Sequence, residues 1–218
     1  MLPPGILANP RGRVPSTSAI NRTLSVCHNP LPEPKLLLDS KFFRLLQGID
    51  LEHAARVRAN GCSCGGRLHS ATYPRKPKGG CPEFLRAEHR RLSFCCGRDG
   101  CRQRHTPRSV VYLGRRVYLA AVFVLGSALR DATAGYSAQM LCATLGITRD
   151  SLDRWRGWWQ NDFPSTSFWQ IARAQFVPPL EGSVPAGLLL RFSGDAHSGV
   201  LGRTLSFLSP LSTVSEGR

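Results

Sequence analysis

Two pairs of closely spaced cysteines are the residues of this sequence best suited to chemistry. The first pair lies in Cys62-Ser-Cys64-Gly-Gly and the second in Cys96-Gly-Arg-Asp-Gly-Cys101. Thiolates are soft ligands that hold Zn²⁺ in a tetrahedron, and a tight turn containing glycine lets two of them reach the same ion. We therefore predict that Cys62, Cys64, Cys96 and Cys101 bind one structural Zn²⁺, although the pairs are CxC and CxxxxC rather than the usual CxxC.

The third ligand is ambiguous in the sequence, because Cys95 and Cys96 are adjacent. In a strand, Phe94 and Cys96 share one face and Cys95 points to the other. An aromatic residue two positions before the first thiol of a second pair is frequent in zinc ribbons, so the pattern favours Cys96. Cys81 is a further possible ligand, although a single thiol beside a proline is more typical of an ordinary loop residue.

Two catalytic alternatives fit the cysteine pattern less well. A redox pair requires CxxC at the start of a helix in a βαβ unit, and neither feature is present. A Cys/His hydrolase requires a base positioned beside its nucleophile, whereas His69, His89 and His105 stand among arginines, where a solvated imidazole is expected. A catalytic zinc keeps one coordination position open, and four cysteines close it. The pattern predicts a structural metal centre rather than an enzyme.

The charge of the chain predicts a polyanionic partner. The formal net charge is +15, and residues 54–118 contain 15 Lys or Arg against three acids, which favours nucleic acid first and an anionic membrane second. The best apolar run, Val117 to Leu129, has 13 residues, whereas a membrane span needs about 20, so no membrane association is expected. The start of the chain lacks the apolar stretch of a signal peptide. Clustered thiols without such a peptide predict a reducing, cytoplasmic location.

The composition along the chain predicts a mainly α-helical protein with a small β zinc ribbon and a helix-turn-helix domain after the ribbon. Helical apolar spacing occurs on both sides of a stretch rich in Gly, Pro, Cys and Arg. The predicted segments are a disordered arm over residues 1–34, leading helices over 35–60 with an interruption at Gly48, the zinc ribbon over 61–109, the helix-turn-helix domain over 110–162, and a short helical tail over 163–218. Within them we expect helices over residues 115–129, 137–145 and 149–159, and a helix stop and cap at Gly194 and Asp195.

The stretch from Ser137 to Trp159 has the pattern of a helix-turn-helix. The motif keeps a glycine at its turn, because the backbone there adopts a conformation that Cβ disfavours, and Gly146 is in this position. Its buried positions are all apolar: Leu141, Leu145, Ile147, Leu152 and Trp155, with the small Cys142 where the helices cross. Thr148 is expected to cap the second helix. The residues expected to face the major groove are Arg149, Asp150, Ser151, Asp153 and Arg154. The alternative is an ordinary helical hairpin inside a core.

A zinc ribbon followed by a helix-turn-helix resembles the N-terminal DNA-binding part of insertion-sequence transposases and of their small accessory proteins. The resemblance is carried by CSCGG, by FCCGRDGCRQRHTPRSV and by LCATLGITRDSLDRW. The chain also resembles bacterial mobile-element proteins with CGGRLHSATYPRKPKGG and LGRRVYL stretches. The resemblance implies that the ribbon braces the helical domain and contacts phosphates, that the second helix reads bases, and that a separate transposase is a possible partner.

The acidic residues argue against strand-transfer chemistry in this chain. Transposases use spaced carboxylates on a ribonuclease-H-like sheet that binds two Mg²⁺ ions. The acids after residue 110 do not follow apolar runs typical of parallel strands, and the segment after residue 162 is too short for such a domain. We therefore expect a non-catalytic accessory or regulatory factor of a transposable element.

The expected DNA contacts fall into two groups. Phosphates are expected to contact Arg98, Arg102, Arg104, Arg115 and Arg116. Base edges are expected to contact Arg149, Ser151 and Arg154, with Thr148 at the start of the same helix. The alternative function is an RNA-binding or protein-interaction zinc-ribbon module without sequence-specific DNA reading.

Overall fold

A computed structural model describes residues 31–131, 136–194 and 196–213. Most of the predicted arm (residues 1–34) and Asp195, the predicted helix cap, lie outside the described residues. Within these ranges the protein is mainly helical and has two small antiparallel sheets. None of the helices in the described ranges is long and apolar enough to cross a membrane.

The α-helices are α1 (Ser40–Asn60), α2 (Pro82–Leu85), α3 (Ala120–Asp131), α4 (Ala138–Leu145), α5 (Arg149–Gly157), α6 (Ser167–Ala172), α7 (Ala186–Arg191) and α8 (His197–Leu208). The strands are β1 (Leu68–Ser70), β2 (Tyr73–Arg75), β3 (His89–Arg91), β4 (Phe94–Cys96) and β5 (Arg104–His105). Short 3-10 turns cover Pro34–Leu38, Phe163–Ser165, Arg173–Gln175 and Ser209–Ser212, and a π-helical turn covers Trp158–Asp162.

Helix α1 connects the two packed regions of the molecule. Its first half contributes Phe42, Phe43 and Leu46 to the main core, and its second half contributes Ala54 to a smaller cluster under the ribbon. The helix runs without a break through Gly48, where the sequence predicted an interruption. A glycine inside a helix costs only about 1 kcal/mol, and the packing on both sides of Gly48 offsets this cost.

The ribbon has few apolar side chains of its own. Its three-stranded sheet has the order β1-β4-β5, with Leu68 opposite Cys96 and Phe94 opposite His105. The β2–β3 hairpin is inserted between β1 and β4 in the chain and forms a separate two-stranded sheet. The buried cluster under the ribbon consists of Ala54, Cys62, Leu68, Phe94 and Cys96. So small a cluster needs a further source of stability, such as a bound metal.

The loop of residues 76–81, inside the inserted hairpin, docks the ribbon onto the helical part. Lys78 forms a parallel bridge with Tyr118, and its carbonyl accepts a hydrogen bond from the Leu119 amide at 3.2 Å. The Gly80 amide donates to the carbonyl of Leu145, the last residue of α4, at 3.1 Å. Gly80 has φ +89°, and a Cβ here would lie 3.1 Å from a backbone carbonyl oxygen. The loop therefore requires glycine at this contact.

Helix α3 is the centre of the helical part, and α4 and α5 pack against it. Gly146, between α4 and α5, is left-handed with φ 64° and ψ 41°. The apolar residues predicted to be buried around this turn are buried: Leu141, Leu145, Ile147, Leu152 and Trp155. The Thr148 hydroxyl accepts a hydrogen bond from the Ser151 amide at 3.3 Å and caps α5. The helix pair, its glycine turn and its cap are where the sequence placed them.

Several helix boundaries differ from the prediction. Helix α7 ends at Arg191, three residues before Gly194, where the sequence predicted a helix stop. Helix α3 begins at Ala120 rather than at residue 115, because residues 118 and 119 pair with Lys78 and Tyr112 instead. Helix α5 ends at Gly157, and the π-helical turn follows it. This turn places the Trp159 ring against Phe123, with ring centroids 5.2 Å apart.

The C-terminal residues complete the main core. The sequence predicts a short helical tail here instead. Helices α7 and α8 pack against α3 and against each other. Leu188, Leu201 and Leu205 are fully buried at this interface. Spacing of four residues between Leu201 and Leu205 places both on the face of α8 that meets α3.

The Asp50 carboxylate fastens α1 to the segment that leaves the ribbon. It is buried and accepts hydrogen bonds from the Ser109 hydroxyl at 2.5 Å and from the Val110 amide at 2.7 Å. Burial raises the pKa of Asp50, although both hydrogen bonds and the charge of Arg91 act to lower it. The buried Arg91 guanidinium in turn donates to the Pro107 carbonyl. Residues 107–110 are thus hydrogen-bonded to α1 through Asp50 and to β3 through Arg91.

We predict that Asp50→Ala lowers the free energy of unfolding by about 2 to 4 kcal/mol, because the buried donors of Ser109 and Val110 lose their acceptor. Urea unfolding followed by circular dichroism measures the loss. Glu52→Ala is the control, since the exposed Glu52 pairs with Arg56 on the surface at 3.4 Å, where such a pair contributes about 0.5 kcal/mol. Equal losses in the two variants would contradict this role of Asp50.

Candidate metal centre and nucleic-acid interface

The side chains of Cys62, Cys64, Cys96 and Cys101 converge on one point, and their sulfur atoms all lie within 4.8 Å of one another. The Cys62 and Cys101 sulfurs are 3.7 Å apart, and those of Cys64 and Cys96 are 3.5 Å apart. A tetrahedron with metal–sulfur bonds of about 2.3 Å has sulfur–sulfur edges of about 3.8 Å. The predicted ligands therefore have the spacing of a four-thiolate site and can hold a metal ion.

The first cysteine turn is closed by its own backbone. The Gly65 amide donates to the Cys62 carbonyl at 2.8 Å. A Cβ at Gly66 would lie 2.5 Å from the Cys96 sulfur and 3.2 Å from the Cys64 sulfur. Because any side chain at residue 66 would displace the ligands, the second glycine of the CSCGG sequence is a requirement of the site.

The second cysteine turn is tied to the first. The Cys101 amide donates to the Arg98 carbonyl at 3.1 Å, and Arg102 follows with the unusual φ of 46°. The Arg98 guanidinium donates to the Cys64 carbonyl at 2.5 Å. Arg98, expected to contact phosphate, therefore also joins the two turns.

The alternation of side chains in β4 separates Cys95 from Cys96, as predicted. Cys96 is fully buried among the other ligands, whereas the Cys95 sulfur points away and lies 3.3 Å from the Arg102 carbonyl oxygen. Cys81 is buried in the main core and is outside the cluster. Cys96 is thus the member of the adjacent pair that joins the metal-ligating cluster.

Backbone amides, neighbouring thiols and burial shift the pKa values of two of the cysteines in opposite directions. The Gly66 amide, 3.4 Å from the Cys64 sulfur, and the neighbouring thiols of Cys96 and Cys101 lower the pKa of Cys64 to about 6. The Arg98 amide acts to lower the pKa of Cys96, but burial and the neighbouring thiols outweigh it and raise that pKa to about 12. Several thiolates at this spacing repel one another, so a bound cation is needed to deprotonate all four.

The outward face of α5 is mostly as predicted. The exposed residues of α5 are Arg149, Asp150, Asp153, Arg154 and Arg156, and Arg156 pairs with Asp131 at 3.2 Å. The prediction that Ser151 faces the major groove is wrong, since only 1% of this residue is exposed. Its hydroxyl lies 2.9 Å from that of Thr148 and 3.2 Å from that of Tyr118. Ser151 precedes Trp155 by one helical turn and shares its buried face, so it positions α5 and does not reach base edges.

The arginines expected to contact phosphate have different surroundings. Arg98, Arg102, Arg104 and Arg115 are exposed, and Arg102 pairs with Asp99 at 3.0 Å. Arg116 does not have the surroundings expected of a phosphate contact. Its guanidinium lies over the rings of Trp158 and Phe123, 4.1 and 4.7 Å from their centroids. This stacking braces the π-helical turn and orients the Arg116 charge inward.

Sequence reasoning missed two lysines beside α5. Lys76 and Lys78 are exposed on the docking loop, where Lys78 pairs with Tyr118. The Tyr118 hydroxyl in turn contacts Ser151 near the start of α5. The loop belongs to the ribbon in sequence, so its position beside α5 depends on a long-range pairing that local patterns do not show.

Neither the comparison with protein-family models nor the searches of curated proteins and solved structures returned a match.

We predict that Cys96→Ser loses most of its bound zinc, because a buried thiolate ligand is replaced by a poor one. Cys95→Ser should retain one zinc per chain, since its sulfur points away from the cluster. Elemental analysis of the desalted proteins by mass spectrometry gives both values. Equal zinc content in the two variants would reject the assignment of the third ligand.

Proposed function

We propose that this protein binds duplex DNA through the α4–α5 helix pair, and that a structural Zn²⁺ at the four cysteines holds the adjacent ribbon in place. The observation that carries the proposal is the two-sided character of α5. Leu152 and Trp155 are buried on one side, while Arg149 and Arg154 are exposed on the other. An α-helix with its side chains is about 10 to 12 Å in diameter, so α5 fits a major groove about 12 Å wide.

Basic side chains flank this helix on the ribbon side. Lys76 and Lys78 are next to the segment that contains Arg115 and Tyr118, through the Lys78–Tyr118 bridge. The Tyr118–Ser151 contact places this surface beside the start of α5. Cations here neutralise phosphates on the strand beside the groove, while Arg149 and Arg154 reach base edges, with acceptors available on Asp150 and Asp153 for cytosine amines.

Zinc is the metal that best suits the four sulfurs. A tetrahedral set of four thiolates is typical of Zn²⁺ or of an iron–sulfur centre. Zn²⁺ has no redox chemistry and four cysteines leave no open coordination position, so its role is to stabilise the fold. The cysteines would hold it from two turns, one before β1 and one between β4 and β5.

The proposed biological role is that of a non-catalytic accessory or regulatory factor of a transposable element, acting beside a separate transposase. This part of the proposal derives from the resemblance of the CSCGG, FCCGRDGC and LCATLGITRDSLDRW segments to transposase DNA-binding parts.

Capture and sequencing of genomic DNA fragments by the zinc-loaded protein at physiological salt tests DNA reading. We predict enrichment of one motif, which Arg149→Ala/Arg154→Ala abolishes, with discrimination at the contacted positions falling by about 1 to 3 kcal/mol per residue. Arg44→Ala/Arg56→Ala is the matched control, because it also removes two positive charges, but from α1 and not from α5. The control should retain the motif.

Other outcomes of this experiment distinguish the alternatives. Binding without enrichment, with equal losses in both double variants, would leave an electrostatic binder and contradict base reading by α5. Stronger competition by RNA than by duplex DNA would favour an RNA-binding module. No salt-dependent binding to nucleic acid would favour a protein-interaction module.

We predict that Lys76→Ala/Lys78→Ala weakens binding to cognate and random DNA alike, because these lysines contact phosphates. The slope of log Kobs against log salt should become shallower by about 1.8, or 0.9 per lost contact. Titrations by fluorescence anisotropy at several salt concentrations give the slope. An unchanged slope would remove the docking loop from the DNA surface.

A further inference from the structure

The Cys62 sulfur has different neighbours from the sulfurs of Cys64 and Cys96. Backbone amides of Gly66 and Arg98 approach those two sulfurs. The neighbours of Cys62 include two side chains instead. The Nε2 atom of His105 lies 3.3 Å from the Cys62 sulfur, and the carboxamide of Gln103 lies 3.6 Å from it.

The chain holds His105 in this position from both sides. In β5, His105 is paired with Phe94, two residues before the ligand Cys96. The next residue, Thr106, has its hydroxyl 3.2 Å from that of Ser93. The imidazole is half-buried, which shields its contact with sulfur from water. The first cysteine turn directs its own amide at Cys64, so the donor to Cys62 comes from β5.

We infer that His105 is a positioning residue of the metal centre, which donates a hydrogen bond from Nε2–H to the Cys62 thiolate; the inference rests on the proposed zinc site. A metal-bound thiolate carries no proton and can only accept. The 3.3 Å contact then requires the proton on Nε2. A thiolate also needs a donor from Gln103. The orientation of an amide group is assigned from its hydrogen bonds, so the NH₂ group of Gln103 is placed toward the sulfur.

This hydrogen bond orients Cys62 and offsets part of its negative charge. Partners of metal ligands that act in this way change metal affinity by roughly 10- to 100-fold when they are removed. A hydrogen bond also lowers the energy of the sulfur lone pairs, so its loss moves sulfur-to-metal charge transfer to lower energy. The second effect reports on the sulfur itself and not on the stability of the fold.

Substitution of Co²⁺ for zinc in the full chain tests the inference by absorption spectroscopy. His105→Phe keeps a ring of similar shape without a donor, and His105→Gln keeps an N–H group at similar reach. His69→Ala is the control, because the His69 ring packs against Gly97 and not against a sulfur. We expect His105→Phe to shift the sulfur-to-cobalt band to lower energy and to weaken Co²⁺ binding roughly 10- to 100-fold. His105→Gln and His69→Ala should remain near wild type.

The outcomes separate the role of His105 from the metal centre itself. A normal wild-type spectrum with an unchanged band and affinity in His105→Phe would overturn the role of His105 alone. A loss in His105→Phe that His105→Gln does not restore would also overturn it, since packing and not donation would then matter. Absence of a tetrahedral cobalt–thiolate spectrum in the wild type would overturn the metal centre and the inference together.

Discussion

Mutual repulsion among four closely placed sulfur atoms is the constraint on which the ribbon depends. The sulfurs lie within 4.8 Å of one another, and at this spacing one thiolate disfavours the formation of the next. The pKa of Cys64 is lowered, and burial together with the neighbouring thiols raises that of Cys96. A divalent cation bound among four thiolates would convert this repulsion into attraction. The apolar cluster under the sheet is small and includes two of the ligands themselves, so the ribbon has little else to hold it together.

The ribbon in turn supports the helix pair through backbone contacts. Its docking loop pairs Lys78 with Tyr118 and directs the Gly80 amide at the end of α4. Asp50 adds a second connection, because it holds the segment after the ribbon against α1. The four-cysteine cluster is thus connected to the turn at Gly146 through the chain of the ribbon and its docking loop. A metal bound at the sulfurs would use this path to influence the orientation of α5, the helix that we propose to read DNA.

Local patterns in the sequence were sufficient for parts of the fold and of the site. Ligand chemistry and strand alternation identified the four cysteines that converge on one point and could hold a metal, including Cys96 rather than Cys95. The backbone preference of glycine located the turn at Gly146, and helical spacing gave the buried residues around it. Each of these properties is determined by neighbours close in the chain.

The remaining features depend on contacts between distant segments. Tyr118 forms a bridge with Lys78 and Leu119 forms one with Tyr112, so these two residues are not part of α3. The Arg116 guanidinium stacks on Trp158, far along the chain. Ser151 is buried, and its hydroxyl contacts that of Tyr118, 33 residues earlier in the chain. The apolar spacing of the C-terminal helices indicates that one face of each is buried. It does not indicate that α3 is the helix that covers them, so the sequence alone predicts only a tail.

Hydrogen exchange of backbone amides with and without a metal chelator tests the central claim most directly, which is that the metal centre holds the helix pair through the docking loop. The Gly80 and Leu119 amides, which donate across the loop interface, are the reporters. We expect chelation to accelerate their exchange together with that of the ribbon. Faster exchange in the ribbon with unchanged protection at Gly80 and Leu119 would contradict the account.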